Sequence, residues 1–136
     1  VKAYKKLNWS INEIAKNQIR KTVSHGMYQW NPYSKMWYYL KTEKDSFSTL
    51  VQGSGSYLLD LWLKCIDNIK VRDGIKDELK LCMNVHDEQL QEYQSLTDEY
   101  VKGIFQEALD MVNKTLKVDI PFGCDTQIGR KYSEIH

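Results

Sequence analysis

Along this chain the spacing of hydrophobic positions switches between a helical and an extended period. Ile11, Ile14, Ala15, Gln18 and Ile19 recur at helical spacing. They follow Ser10-Ile11-Asn12-Glu13, a capping-box pattern in which the serine hydroxyl accepts a backbone N–H and the glutamate reaches back. The pattern predicts a helix over residues 11–23, ended by His25-Gly26 with Gly26 available for the left-handed cap position. Residues 27–40 (MYQWNPYSKMWYYL) then crowd Tyr28, Trp30, Tyr33, Trp37, Tyr38 and Tyr39 around Asn31-Pro32-Tyr33-Ser34. Asn-Pro starts a turn and aromatic flanks favour strands, so a β-hairpin is predicted. Its aromatics have two readings: a platform on which nucleobases stack, or the commoner sheet face packed on its own domain.

Residues 49–69 form the most apolar predicted helix, led in by Gln52-Gly53-Ser54-Gly55-Ser56. Leu58, Leu59, Leu61, Trp62, Leu63, Cys65, Ile66 and Ile69 cover most of its circumference, which predicts burial between layers. Gly53 and Gly55 would allow close approach to another backbone. A Gly-Ser-Gly run at a helix start is also a weak phosphate-binding signal, without a Walker lysine or a full GxGxxG. Arg72-Asp73-Gly74 reads as a turn. Leu79, Leu81, Met83 and Val85 alternate with Lys80, Cys82 and Asn84, predicting a strand over residues 79–85, with residues 89–93 as its return partner and His86-Asp87-Glu88 as the tip. Thr97-Asp98-Glu99 opens a helix whose stripe is Tyr100, Val101, Ile104, Phe105, Ala108, Leu109, Val112 and Leu116. Phe122, Cys124, Thr126 and Ile128 alternate as a last strand. The layout α, ββ, α, ββ, α, β is α+β in class, a sheet with helices.

Composition adds bounds. A chain of 136 residues, 42% hydrophobic and 27% charged, is suited to one ordinary folded domain or part of one. A net charge of +1 places no global demand for nucleic acid or an anionic membrane. The longest apolar run, residues 58–66 (LLDLWLKCI), contains Asp60 and Lys64 and is far shorter than the roughly 20 residues of a membrane span. The first seven residues have charge but no apolar core after it, so no signal peptide is read. Cys65, Cys82 and Cys124 are odd in number and far apart. They read as small buried hydrophobes in a reducing compartment rather than a disulfide framework or zinc site.

The candidate chemistry lies in KLCMNVHDEQLQEY, residues 80–93. Adjacent carboxylates at a tight turn repel one another, and a counter-charge relieves that. Magnesium takes one or two carboxylates with phosphate oxygens and water, so Asp87 is a candidate metal ligand with Glu88 beside it, and His86 a donor to a phosphate or sugar oxygen. An ordinary solvated turn has the same composition. Two-metal catalysis needs further protein carboxylates, and no second strand-end ligand is evident in this chain.

Val85-His86-Asp87-Glu88 resembles motif C of the family A DNA polymerases, the DNA polymerase I class. Gln52-Gly53-Ser54-Gly55-Ser56-Tyr57-Leu58-Leu59-Asp60 is similar to the QG-rich helix that precedes motif C there. Residues 31–50 (NPYSKMWYYLKTEKDSFSTL) resemble the aromatic hairpin and lead-in of phage-type members. The long amphipathic helix, Asp119-Ile120-Pro121, an extended strand, a glycine and His136 follow in the family's order, so the resemblance covers residues 8–136. Ser48 stands where bacterial members often carry asparagine, Gln89 where an apolar residue is usual, and Tyr132 where many relatives have tryptophan.

The resemblance implies a palm fragment, residues 1–136, in which Asp87 ligates two catalytic magnesium ions and Glu88 supports the metal site and primer end. It implies that His86 contacts the primer terminus, that Gln52, with Ser48, reads minor-groove acceptors, and that His136 matches the family's final histidine at the DNA. Motif A, the fingers and the thumb are not in this sequence. The expected partners are therefore the remaining polymerase chain, primer–template DNA and deoxynucleoside triphosphates, with no membrane. The expected setting is the cytoplasm of a phage-infected cell. A split gene product, a processed chain and a trimmed chain are equally compatible with that reading. The other readings are a non-catalytic palm-fold interaction subunit and a small metal-dependent nuclease using Asp87 and Glu88.

Overall fold

Three helices and two antiparallel hairpins follow one another as α1 (Trp9–Ser24), β1 (Tyr28–Asn31), β2 (Met36–Tyr39), α2 (Ser46–Arg72), β3 (Leu79–Val85), β4 (Glu88–Tyr93) and α3 (Asp98–Leu116). The computed structural model describes residues 8–135. The class is α+β, but the strands form two separate two-stranded sheets rather than one sheet. Cys124, Thr126 and Ile128 are half-buried between exposed neighbours, but Phe122 of the predicted strand is exposed, and residues 122–128 pair with no other strand. Among the described residues no helix is long and apolar enough to cross a membrane. The chain divides between Tyr57 and Leu58 into two compact units, with α2 contributing to each.

The first unit is organised by polar groups. Helix α1 begins at Trp9, ahead of Ser10, so the predicted Ser10–Glu13 capping box does not form and Ser10 lies inside the first turn. Its inward positions are Ala15, Gln18, Ile19 and the fully buried Thr22, whereas Ile11 and Ile14 of the predicted stripe are exposed. Gly26 takes the left-handed conformation at φ 63°, and Met27 N–H donates to the Thr22 carbonyl at 3.0 Å, closing the helix as expected. The hairpin pairs Tyr28 with Tyr39, Gln29 with Tyr38, Trp30 with Trp37 and Asn31 with Met36.

Asn31, with no exposed surface, ties the turn to α2. Its Oδ1 accepts from Tyr33 N–H at 2.9 Å and Ser34 N–H at 3.2 Å, and its Nδ2 donates to Ser54 Oγ at 3.1 Å and the Leu50 carbonyl at 3.3 Å. Gly53 makes this approach possible, since a Cβ there would lie 3.0 Å from the Tyr38 ring and 3.2 Å from Asn31 Nδ2. The close approach is thus to side chains rather than backbone. Gly55 meets nothing within 4 Å. Both glycines lie inside α2 rather than at its N-terminus, which removes the phosphate-cradle reading.

The second unit has an aliphatic core. Cys65, Ile66 and Ile69 of α2 meet Val101, Ile104, Ala108 and Val112 of α3, closed by Ile75 and Leu79. Trp62 donates its indole N–H to the Phe105 carbonyl at 3.1 Å and meets the Phe105 ring edge-on. Helix α2 ends in a Schellman motif: Gly74 is left-handed at φ 71°, Ile75 N–H reaches the Lys70 carbonyl at 3.0 Å, and Gly74 N–H reaches Val71. Thr97 Oγ1 accepts from Tyr100 N–H at the start of α3, with Asp98 and Glu99 in the first turn opposing the helix dipole. Of the cysteines, Cys65 alone is buried, and burial pushes its thiol pKa up. Cys82 is exposed and Cys124 half-buried, so the expectation of three buried thiols holds only for the first.

Arg72 joins the two helices of this unit, donating to Glu107 on α3 and to Asp73 at 2.6 Å, while Tyr100 OH donates to Asp73 at 2.7 Å. The hydrogen bonds from Arg72 and Tyr100 hold the Asp73 pKa at about 2, and Arg72 lowers that of Glu107. Tyr93, by burial and its hydrogen bond to Asp98, is pushed up to about 12.

Asn31→Ala is expected to lower stability by about 1–3 kcal/mol in thermal or denaturant unfolding, because its hydrogen-bond partners in the turn and on α2 lose their bonds. The Asp73 pKa is lower folded than unfolded, so its contribution is present above about pH 4 and is lost as pH falls toward 2. Arg72→Gln should therefore flatten the fall in melting temperature across that acid window.

Candidate functional site

The His-Asp-Glu run sits where β3 turns into β4, and its geometry follows from the ladder. Val85 pairs with Glu88, so the loop is the two residues His86-Asp87, and Glu88 is the first residue of β4 rather than part of the tip. A two-residue hairpin loop requires a positive φ at a central position. His86 supplies it at φ 54°, a left-handed conformation that costs a non-glycine residue about 1–2 kcal/mol. A bulky imidazole held there is a local conflict of the kind that gathers at functional positions.

The register carries a further feature. Leu81 pairs with Gln91 and Met83 with Leu90, leaving Cys82 as an extra residue in β3. Because β4 is unbulged, its alternate positions define the two faces. Leu79, Leu81 and Asn84 share one face with Tyr93, Gln91 and Gln89, and Lys80, Met83 and Val85 share the other with Glu92, Leu90 and Glu88. The four apolar residues read as one stripe are therefore split between the faces. Leu79 is fully buried, whereas Leu81, Met83 and Val85 are exposed. Glu88 belongs with Met83 and Val85, on the face opposite the anchoring Leu79.

His86, Asp87 and Glu88 are all solvent-exposed. Exposed carboxylate oxygens on a short loop fit a hard cation shared with phosphates and water, which needs only one or two protein ligands. Among the described residues no group of three or more potential ligands converges on one point. In the other unit, Ser48 and Gln52 stand one turn apart on the exposed side of α2, and Ser48 Oγ donates to the Asp45 carbonyl at 3.0 Å. His136 lies outside the described residues.

Behind the turn, Gln91 Nε2 donates to Gln89 Oε1 at 3.2 Å, leaving Gln89 Nε2 and Gln91 Oε1 buried without partners. An unpaired buried amide atom costs about 1–3 kcal/mol. These glutamines and the Cys82 bulge escaped the residue pattern.

The chain matches no family model, no curated protein and no solved structure.

His86→Gly should raise stability by about 1 kcal/mol, because glycine takes the left-handed conformation without steric cost. A melt of the variant that is unchanged or lower would show that the imidazole repays its strain through contacts.

Proposed function

We propose that this chain is the C-terminal palm portion of a family A, phage-type DNA polymerase, contributing one catalytic metal-binding aspartate to template-directed primer extension. The observation that carries the reading is the placement of His86-Asp87 as the two-residue loop of a short antiparallel hairpin, with Glu88 opening its second strand. A His-Asp-Glu run in a helix or a buried strand would have had no support as motif C. The length of the helix bearing Gln52 and its exposure beside Ser48 add to this support.

In this reading Asp87 holds metal together with an aspartate from the partner segment, Glu88 supports the site and the primer end, and His86 donates to the primer-terminal region. Two magnesium ions, when bound, supply Lewis-acid activation of the primer 3′-hydroxyl and charge neutralisation at the departing pyrophosphate. Gln52 can present its amide to minor-groove acceptors that are nearly alike in every correct pair, which checks pair geometry without reading sequence. Motif A, fingers and thumb come from the partner, and the lone chain is inert.

Mixing this chain with the partner chain, a primed template, deoxynucleoside triphosphates and magnesium tests the reading. Extension should require both chains. Asp87→Asn should slow it by at least about a hundredfold, since a metal ligand supports several kcal/mol of transition-state stabilisation. Extension unaffected by Asp87→Asn removes the assigned role, and metal-dependent cleavage of DNA by the lone chain replaces the polymerase with a nuclease.

A further inference from the structure

The β1–β2 hairpin presents an aromatic face that its own unit does not cover. Tyr28 with Tyr39, and Trp30 with Trp37, are cross-strand pairs whose ring centroids lie 5.3 Å apart in each case. The four residues are 39–64% exposed, while Gln29 and Asn31 at the alternate positions are buried. The sheet therefore packs inward through Gln29, Asn31 and the half-buried Tyr38 and turns its two tryptophans and the Tyr28–Tyr39 pair outward.

Charge narrows the occupant. Residues 14–42 carry Lys16, Arg20, Lys21, Lys35 and Lys41 and no Asp or Glu, in a chain whose overall balance is only +1. A second copy of this face would set these cations against one another, which disfavours self-association. A cleft of about 520 Å³ brings cation and ring together, lined by Lys21 of α1 and His25 at its C-cap with Gln29, Trp30 and Trp37 of the hairpin. The His25 and Trp37 rings are 6.0 Å apart. Gln29 lines this cleft at 1% exposure, and neither its amide nitrogen nor its amide oxygen has a hydrogen-bond partner.

We propose that this face binds single-stranded nucleic acid. Bases stack on Trp30, Trp37 and the tyrosine pair, and phosphates are met by Lys21 at the cleft beside the tryptophans. Single strands are required because a duplex hides the π-faces that the rings engage. The inference rests on the first unit alone and does not depend on the polymerase reading.

The test is anisotropy of a dye-labelled single strand of about twelve nucleotides, titrated with the chain in EDTA, against a duplex of the same sequence. The single strand should bind more tightly than the duplex. Trp37→Ala should weaken it about five-fold or more, the lower end of one base–aromatic stack, and Trp37→Phe should keep most of the affinity. Lys21→Gln should reduce the salt slope by about 0.7, the value of one phosphate contact on a single strand. Equal or tighter duplex binding, or equal affinity in wild type and Trp37→Ala, overturns the proposal. So does a Trp37→Phe loss as large as that of alanine, or sedimentation showing self-association through the face without strand binding. With divalent cations absent, failure here leaves the primer-extension reading standing, and failure of extension leaves this one.

Discussion

The placement of the His-Asp-Glu turn depends on one extra residue in one strand. Cys82 has no cross-strand partner, and every side chain beyond it in β3 sits on the opposite face from where unbroken alternation would put it. Leu79 can then bury itself in the aliphatic core while Met83 and Val85, with Glu88 across the ladder, point away from it. Without the bulge the same four apolar residues would anchor a single face down to the tip, with Glu88 on the anchored side. The bulge thus separates the end of the hairpin that holds it to the fold from the end that carries the ionisable residues.

The two units solve the problem of burial differently. In the second, branched aliphatic side chains of α2 and α3 interlock around Leu79, and an Arg72–Glu107–Asp73–Tyr100 network joins the two helices at the surface. Such exposed ion pairs add little individually, and the interior apolar contacts carry most of that unit's stability. In the first, the fully buried side chains are Thr22, Gln29, Asn31 and Ser46. Thr22 and Ser46 hydroxyls meet at 3.2 Å, and Asn31 satisfies four hydrogen bonds at once. A small unit centred on hydrogen-bonded polar groups has directional constraints where the other has volume, and it leaves its large aromatics free for an external surface.

Strain and unmet hydrogen bonding occur at both proposed surfaces. His86 is left-handed at the acidic turn, and Gln89 and Gln91 each keep one unpaired amide atom behind it. Gln29 keeps two beside the aromatic cleft. Native interiors contain few such atoms, so three glutamines at two surfaces single those surfaces out.

Local signals determined much of this protein. The existence and type of all three helices, both hairpins, the Gly26 cap position, the turn at Arg72-Asp73-Gly74 and the Thr97 start of α3 follow from periodicity and from residues with narrow backbone preferences, which act over a few positions without help from the fold. The class, α+β, follows from their order. Tertiary structure decided the rest. It set which side of α1 and of each hairpin faces inward, because an apolar residue is equally at home on either face until a partner covers one. It left residues 122–128 without a ladder, since alternation describes a strand's faces but not its neighbour. It moved the start of α1 from the Ser10 capping box to Trp9. It also divided Leu79, Leu81, Met83 and Val85 between two faces, because cross-strand register is a property of two segments and no single segment encodes it.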